Sequence, residues 1–246
     1  MSRLVRPLVS PVHWVADTVG LGRIVRLLST SIGQKYVMAI TGLMLCGFLA
    51  VHLAGNLLLY VGSDAYNHYA ESLHSQEWLI RFAEVGLVVL FLTHIVLALS
   101  TSSMNRRARR VSYFVKESKQ PNLALRSGGA GNWMFVTGAI VLGFMLLHVS
   151  EFTLNIEWSW HLAADRALAP YDKAMLIMQN PVSFFVYIVG SGAVGIHLGH
   201  GVASSFQSLG LNHPKYNKLV ERAGLAFAVV IGTGFASFPV MAMMFS

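Results

Sequence analysis

Five stretches of this chain, roughly 34–61, 79–103, 133–154, 181–206 and 221–245, are long, apolar and sparsely charged. A helix rises about 1.5 Å per residue, so each is long enough to cross a hydrocarbon core of about 30 Å. With 54% hydrophobic and 12% charged residues and a mean hydropathy of +0.57, the chain has too little charge to cover a soluble surface of this size. The fold class expected is an all-α membrane protein, a bundle of five transmembrane helices over 31–246. Residues 1–30, with Arg3, Arg6, Arg23 and Arg26 set among apolar residues, read as an amphipathic arm on the membrane surface and not as a secretory signal. No low-complexity tract, second soluble domain or internal repeat is read beyond the alternation described below.

Charge sets the orientation. All but Arg81, Arg166 and Lys173 of the 18 lysines and arginines fall on the N-terminal arm, the 105–131 loop, the 207–222 loop or nearby helix ends. The opposite connections are acidic, with Asp64, Glu71 and Glu77 in one and Glu157, Asp165 and Asp172 in the other. The positive-inside rule then places the N-terminus in the cytoplasm and the C-terminus outside. The formal charge of +7 is thus a matter of topology and anionic lipid, and no nucleic-acid partner is expected.

Ionisable side chains at membrane depth are costly and usually functional. His52, His94, His148 and His197 each sit about two-thirds of the way through a different apolar stretch. Because consecutive spans run in opposite directions, the first and third fall in one layer and the second and fourth in another, separated by about 10–20 Å along the membrane normal. Two facing imidazoles at one depth are what a six-coordinate haem iron requires, so the expectation is two haems. His52 with His148 would serve the outer one and His94 with His197 the inner. Cys46 stands alone and no Cys-x-x-Cys-His occurs, so any haem is b-type, held without covalent attachment.

His200, three residues beyond His197, competes for the same iron or takes a supporting hydrogen bond or propionate contact. Gly47 and Gly55 near His52, Gly143 near His148, and Gly190, Gly192, Gly195 and Gly199 near His197 offer either wall for a flat macrocycle or close helix packing.

Three segments carry a resemblance: His52-Leu-Ala-Gly-Asn56; Ala65-Tyr-Asn-His-Tyr-Ala-Glu-Ser-Leu73; and Gly195-Ile-His-Leu-Gly-His-Gly-Val-Ala-Ser-Ser-Phe-Gln-Ser-Leu-Gly-Leu211. Over residues 31–246 the chain resembles the two-haem cytochrome b subunit of succinate:quinone oxidoreductases. The resemblance implies the same pairing, His52 with His148 and His94 with His197. It implies a flavoprotein and an iron-sulfur protein docked on the cytoplasmic face, a quinone substrate (menaquinone or ubiquinone) and a bacterial cytoplasmic membrane. The basic 105–131 loop then either helps to dock the partner or meets anionic lipid.

Quinone chemistry moves protons, and Tyr66, His68, Tyr69, Glu71 and His74 lie in an outer connection. Glu71 and His74 are the candidate proton-transfer residues there, with Glu84 and Glu151 as weaker ones. Two other readings stay open: the cytochrome b subunit of a hydrogenase or formate dehydrogenase, and a proton-coupled transporter with a histidine relay. A haem absorption band separates the electron-transfer readings from the transporter, which also fits five spans poorly.

Overall fold

A polar residue before an apolar run begins a helix, because its side chain satisfies amides that have no partner in the first turn. Thr30 does so for α1 (Ser31–Asn56), accepting from the Gly33 amide at 3.0 Å. Asn180 does so for α6 (Pro181–Ser208), accepting from the Val182 and Ser183 amides at 2.9 and 3.3 Å. Pro181 follows at the first helical position, where its missing N–H costs nothing. The computed structural model describes residues 20, 22–23, 29–108, 130–154, 156 and 168–245. Among these the chain has seven α-helices and no strand. The others are α2 (Ser63–His74), α3 (Glu77–Ala108), α4 (Ala130–Phe152), α5 (Pro170–Gln179) and α7 (Asn217–Met244).

Helices α1, α3, α4, α6 and α7 are long and apolar enough to cross a membrane, in the places the hydropathy indicates. The architecture is that of a multi-pass membrane protein. Trp78, Phe82, Val85, Val89, Leu92, Val96 and Leu99 line an exposed stripe of α3 at helical spacing, a surface suited to lipid. Most of the arm over 1–30 and most of the basic 105–131 loop lie outside the described residues, as do Glu157 and Asp165.

Each of the two acidic connections holds a short helix among the described residues. Gly62 adopts φ 126°, a conformation open to glycine, and turns the chain out of α1 and the 3-10 turn Leu57–Tyr60 into α2, with Asp64 in its first turn. Pro170 and Asp172 open α5 in the same manner. The two short helices meet at one end of the bundle, where Asn67 accepts from the Tyr171 amide at 2.9 Å and the Tyr66 and Tyr171 rings pack edge to face.

The densest packing joins α6 to α7, where a side chain on Gly232 would lie 3.1 Å from the Gly195 Cα. The apolar core, including Leu53, Met175, Val194, Leu198, Ile231 and Phe238, lies between α1, α5, α6 and α7. Helices α1, α3, α4 and α6 gather around a common interior.

Candidate functional site: two histidine pairs

Eleven residues of α-helix make about three turns, so positions eleven apart share a face and stand about 16 Å apart. Helix α1 carries Thr41 and His52 at that spacing, and α4 carries Thr137 and His148. Each of these helices therefore offers one side chain to each of two levels.

At the level near α2 and α5, the His52 and His148 rings lie 5.9 Å apart between centroids, 80° from coplanar. Aromatic rings hold them. Phe48, one turn earlier on α1, stacks on His52 at 5.2 Å, and Phe144, one turn earlier on α4, lies 5.9 Å from His148. Phe235 of α7 and Phe152 of α4 close the other sides at 5.6 and 5.1 Å.

At the far level His94 of α3 and His197 of α6 face each other at 6.4 Å and 72°. Their Nδ1 atoms are held alike, His94 by the Thr41 hydroxyl at 3.3 Å and His197 by the Thr137 hydroxyl at 3.2 Å. A hydroxyl has one proton, and each threonine gives it to its own helix, Thr41 to the Met38 carbonyl at 3.0 Å and Thr137 to the Trp133 carbonyl at 2.7 Å. The oxygens must then accept from Nδ1–H, which leaves each Nε2 with its lone pair. That is the tautomer a metal-binding imidazole needs. Glycine after each threonine makes room, since a side chain at Gly42 would sit 3.2 Å from His94 Cε1 and one at Gly138 3.5 Å from His197 Cε1.

His148 is held in the same tautomer by a different group. The Tyr187 hydroxyl donates to Glu151 Oε2 at 2.7 Å, so its oxygen accepts from His148 Nδ1–H at 3.3 Å. Ser183 donates to the other Glu151 oxygen at 2.7 Å, and Glu151 is 4% exposed. His52 has a weaker neighbour, the Asn56 side-chain amide, which donates to the His52 carbonyl at 2.7 Å and stands 3.5 Å from Nδ1.

His200 is buried on α6, but the ring opposite His94 is His197; His200 Nδ1 has no hydrogen-bond partner among the described residues. Glu71 and His74 lie exposed on α2, with His74 Nδ1 donating to its own helix at Ala70, 2.7 Å. The opposite face of α2 covers the end of α1: Tyr69 packs on Gly55, and the Tyr66 hydroxyl donates to Asn56 at 3.5 Å. Burial, and then Tyr69 beside it, push the Tyr66 phenol up, which keeps its proton in place as a donor. Glu84 is ion-paired with Arg81 at 3.0 Å on the surface.

Of the glycines near the histidines, Gly55, Gly190, Gly195 and Gly199 serve close packing against Tyr69, Phe144, Gly232 and Ala228. Only Gly47, Gly143 and Gly192 face open space.

The expectation of no internal repeat needs correcting. Met38-Ala-Ile-Thr-Gly-Leu-Met-Leu-Cys-Gly-Phe-Leu-Ala-Val-His52 and Met134-Phe-Val-Thr-Gly-Ala-Ile-Val-Leu-Gly-Phe-Met-Leu-Leu-His148 share Met, Thr, Gly, Gly, Phe and His in register. The threonine holds the histidine of the far level, the first glycine lets that ring approach, and the phenylalanine packs on its own helix's histidine. Hairpin α1–α3 thus corresponds to hairpin α4–α6. Thr41, Thr137, Ser183 and Tyr187 are the site residues that reading single histidines overlooks.

No family model, curated protein or solved structure matches this chain. Among the described residues no group of three or more His, Cys, Asp or Glu gathers as a metal cage. What the bundle offers is two pairs.

Proposed function

We propose that this chain is the membrane anchor and electron-transfer subunit of a succinate:quinone oxidoreductase, holding two b-type haems. His52 and His148 bind the iron of one, His94 and His197 that of the other. The observation that carries the reading is the spacing of the pairs. A metal–imidazole bond is about 2.0 Å and a ring nitrogen lies about 1.1 Å from its ring centre, so two imidazoles on one ion stand about 6 Å apart. The pairs stand at 5.9 and 6.4 Å. Two protein ligands without a third suit an iron whose other four positions are filled by a porphyrin.

Haem supplies one-electron transfer when bound, and the protein's part is to ligate, orient and space it. Thr41, Thr137 and Tyr187 hold three of the four ligands in the Nε2-binding tautomer. Phe48, Phe144, Phe152 and Phe235 keep the outer pair dry. The eleven-residue offset on α1 and α4 sets the levels about 16 Å apart, a distance that relates two redox centres and is far too long for a direct proton hop between histidines. The distribution of lysine and arginine supports an N-terminus in the cytoplasm, with the flavoprotein and iron-sulfur partners and the His94–His197 pair toward that face. The His52–His148 pair is then toward the outside of a bacterial cytoplasmic membrane, with quinone reacting near it.

The purified complex should contain two haems b per copy of this chain in a pyridine haemochrome assay. One or none rejects the proposal.

Glu71 and His74 are exposed on α2, at the end of the bundle nearer the outer pair, where protons can be exchanged with a quinone and the exterior. Glu71→Gln retains shape but cannot exchange a proton near neutral pH, so quinone-linked turnover should fall by about 10²-fold or more. Succinate-to-dye electron transfer at the partner subunits should be unchanged. A normal quinone-linked rate would remove Glu71 from proton transfer.

A further inference from the structure

The two hairpins match at the inner level and differ at the outer one. Both inner histidines are held by a threonine in the same place of the repeat. At the outer level the position three residues beyond His148 is Glu151, whereas three beyond His52 is Gly55. Ten residues before His197 stands Tyr187, bonded to Glu151; ten before His94 stands Glu84, paired at the surface with Arg81. One ligand of the outer pair therefore leads to a buried carboxylate, and the other to a neutral amide.

A carboxylate within a membrane span is expensive, and helix packing alone would be met by apolar residues. Glu151 is placed where its oxygens receive two donors, Ser183 and Tyr187, each at 2.7 Å. The Tyr187 hydroxyl donates to Glu151 Oε2, so its one phenolic proton is committed to the carboxyl group. The phenolic oxygen is then polarised and left facing His148 Nδ1–H. A hydrogen bond of this kind fixes the metal-facing nitrogen and makes the imidazole more electron-donating.

Resting on the ligand reading above, the geometry points to Glu151 as a positioning residue that acts through Tyr187 on His148, holding Nε2 as the iron-facing nitrogen and making His148 the stronger donor of the outer pair. Neither Glu151 nor Tyr187 is a ligand itself. Their effect is on the outer iron's redox balance and runs through His148: a more donating imidazole favours the oxidised form, so losing either group raises the reduction potential.

The test uses the purified complex carrying Glu151→Gln or Tyr187→Phe, with redox titration of each haem component, electron paramagnetic resonance of the oxidised state and haem content. The outer component's midpoint should move upward and its low-spin signal should shift in both variants, with the inner component unchanged. Combining the two substitutions should shift the midpoint no further than Tyr187→Phe alone, because the groups act in series. Selective loss of the outer haem in Tyr187→Phe supports the same conclusion. Two haems with unchanged potentials and signals in Tyr187→Phe, whatever its thermal stability, overturn this inference and leave the ligand reading intact. Absence of haem b from the unmodified complex overturns both. Should Glu151→Gln fail to assemble, Tyr187→Phe decides alone, since it keeps the ring that packs against Phe144 and Phe152.

Discussion

His94→Ala is expected to remove one haem of two and leave the other with its spectrum and potential unchanged. His197→Ala should remove the same component. His52→Ala and His148→Ala should each remove the remaining one. The expectation follows from the pairing: His94 faces His197 across α3 and α6, and His52 faces His148 across α1 and α4. An iron held by the pair would lose, with one imidazole, both a bond and the clamp between two helices, and no third His, Cys, Asp or Glu completes a cluster among the described residues. Low-temperature difference spectra of the four variants check the grouping. If His94→Ala and His52→Ala deplete the same component, the pairs are wrongly assigned. His200→Ala supplies the needed contrast: the ring that faces His94 is His197, so both haems should remain. Loss of the inner haem from His200→Ala, with retention in His197→Ala, would transfer the ligand role to His200.

The spans and the pairing were legible in the sequence because both depend on quantities a sequence carries directly. Apolar length against bilayer thickness locates the helices, and strict alternation of direction sorts His52 with His148 and His94 with His197. The groups that hold the histidines were harder to see. Threonine and tyrosine inside a span look unremarkable one at a time, since a hydroxyl can always bond to its own helix. Thr41 and Thr137 do bond that way, and only the three-dimensional placement shows their oxygens accepting from His94 and His197. The signal that would have found them is relational: the same six residue types recur at the same spacings before His52 and His148. Glu151 stands near the end of its span, and nothing in its local sequence marks it as buried. Its burial depends on Ser183 and Tyr187 arriving from α6, 32 and 36 residues away, which no local pattern encodes. The short helices α2 and α5 lack the long apolar run that marks a span.

The repeat also makes a cross-level prediction that tests the architecture more sharply than removing a ligand. Gly42 lies on α1, whose own histidine belongs to the pair near α2 and α5, yet a side chain there would press on His94 of the far pair. Gly42→Leu should therefore damage the inner haem and spare the outer one, against the simple expectation that a helix's mutation harms that helix's ligand. Even a methyl group at Gly42 would stand 3.2 Å from His94 Cε1, closer than ordinary contact, and leucine adds three further carbons in the same direction. The ring must rotate or retreat, and either movement takes Nδ1 from the Thr41 hydroxyl and Nε2 from where it would bind a metal. Loss of such a supporting bond commonly costs 10–100-fold in metal affinity, before the clash is added. Gly138→Leu should act on the same inner component through His197, more mildly at its 3.5 Å approach. Gly86→Leu is the control, because a side chain at Gly86 on α3 meets nothing within 4 Å. Both haems should survive it. If Gly42→Leu instead depletes the outer haem, the threonine–glycine step of the repeat does not serve the far level, and the correspondence between the two hairpins fails as a description of how the site is built.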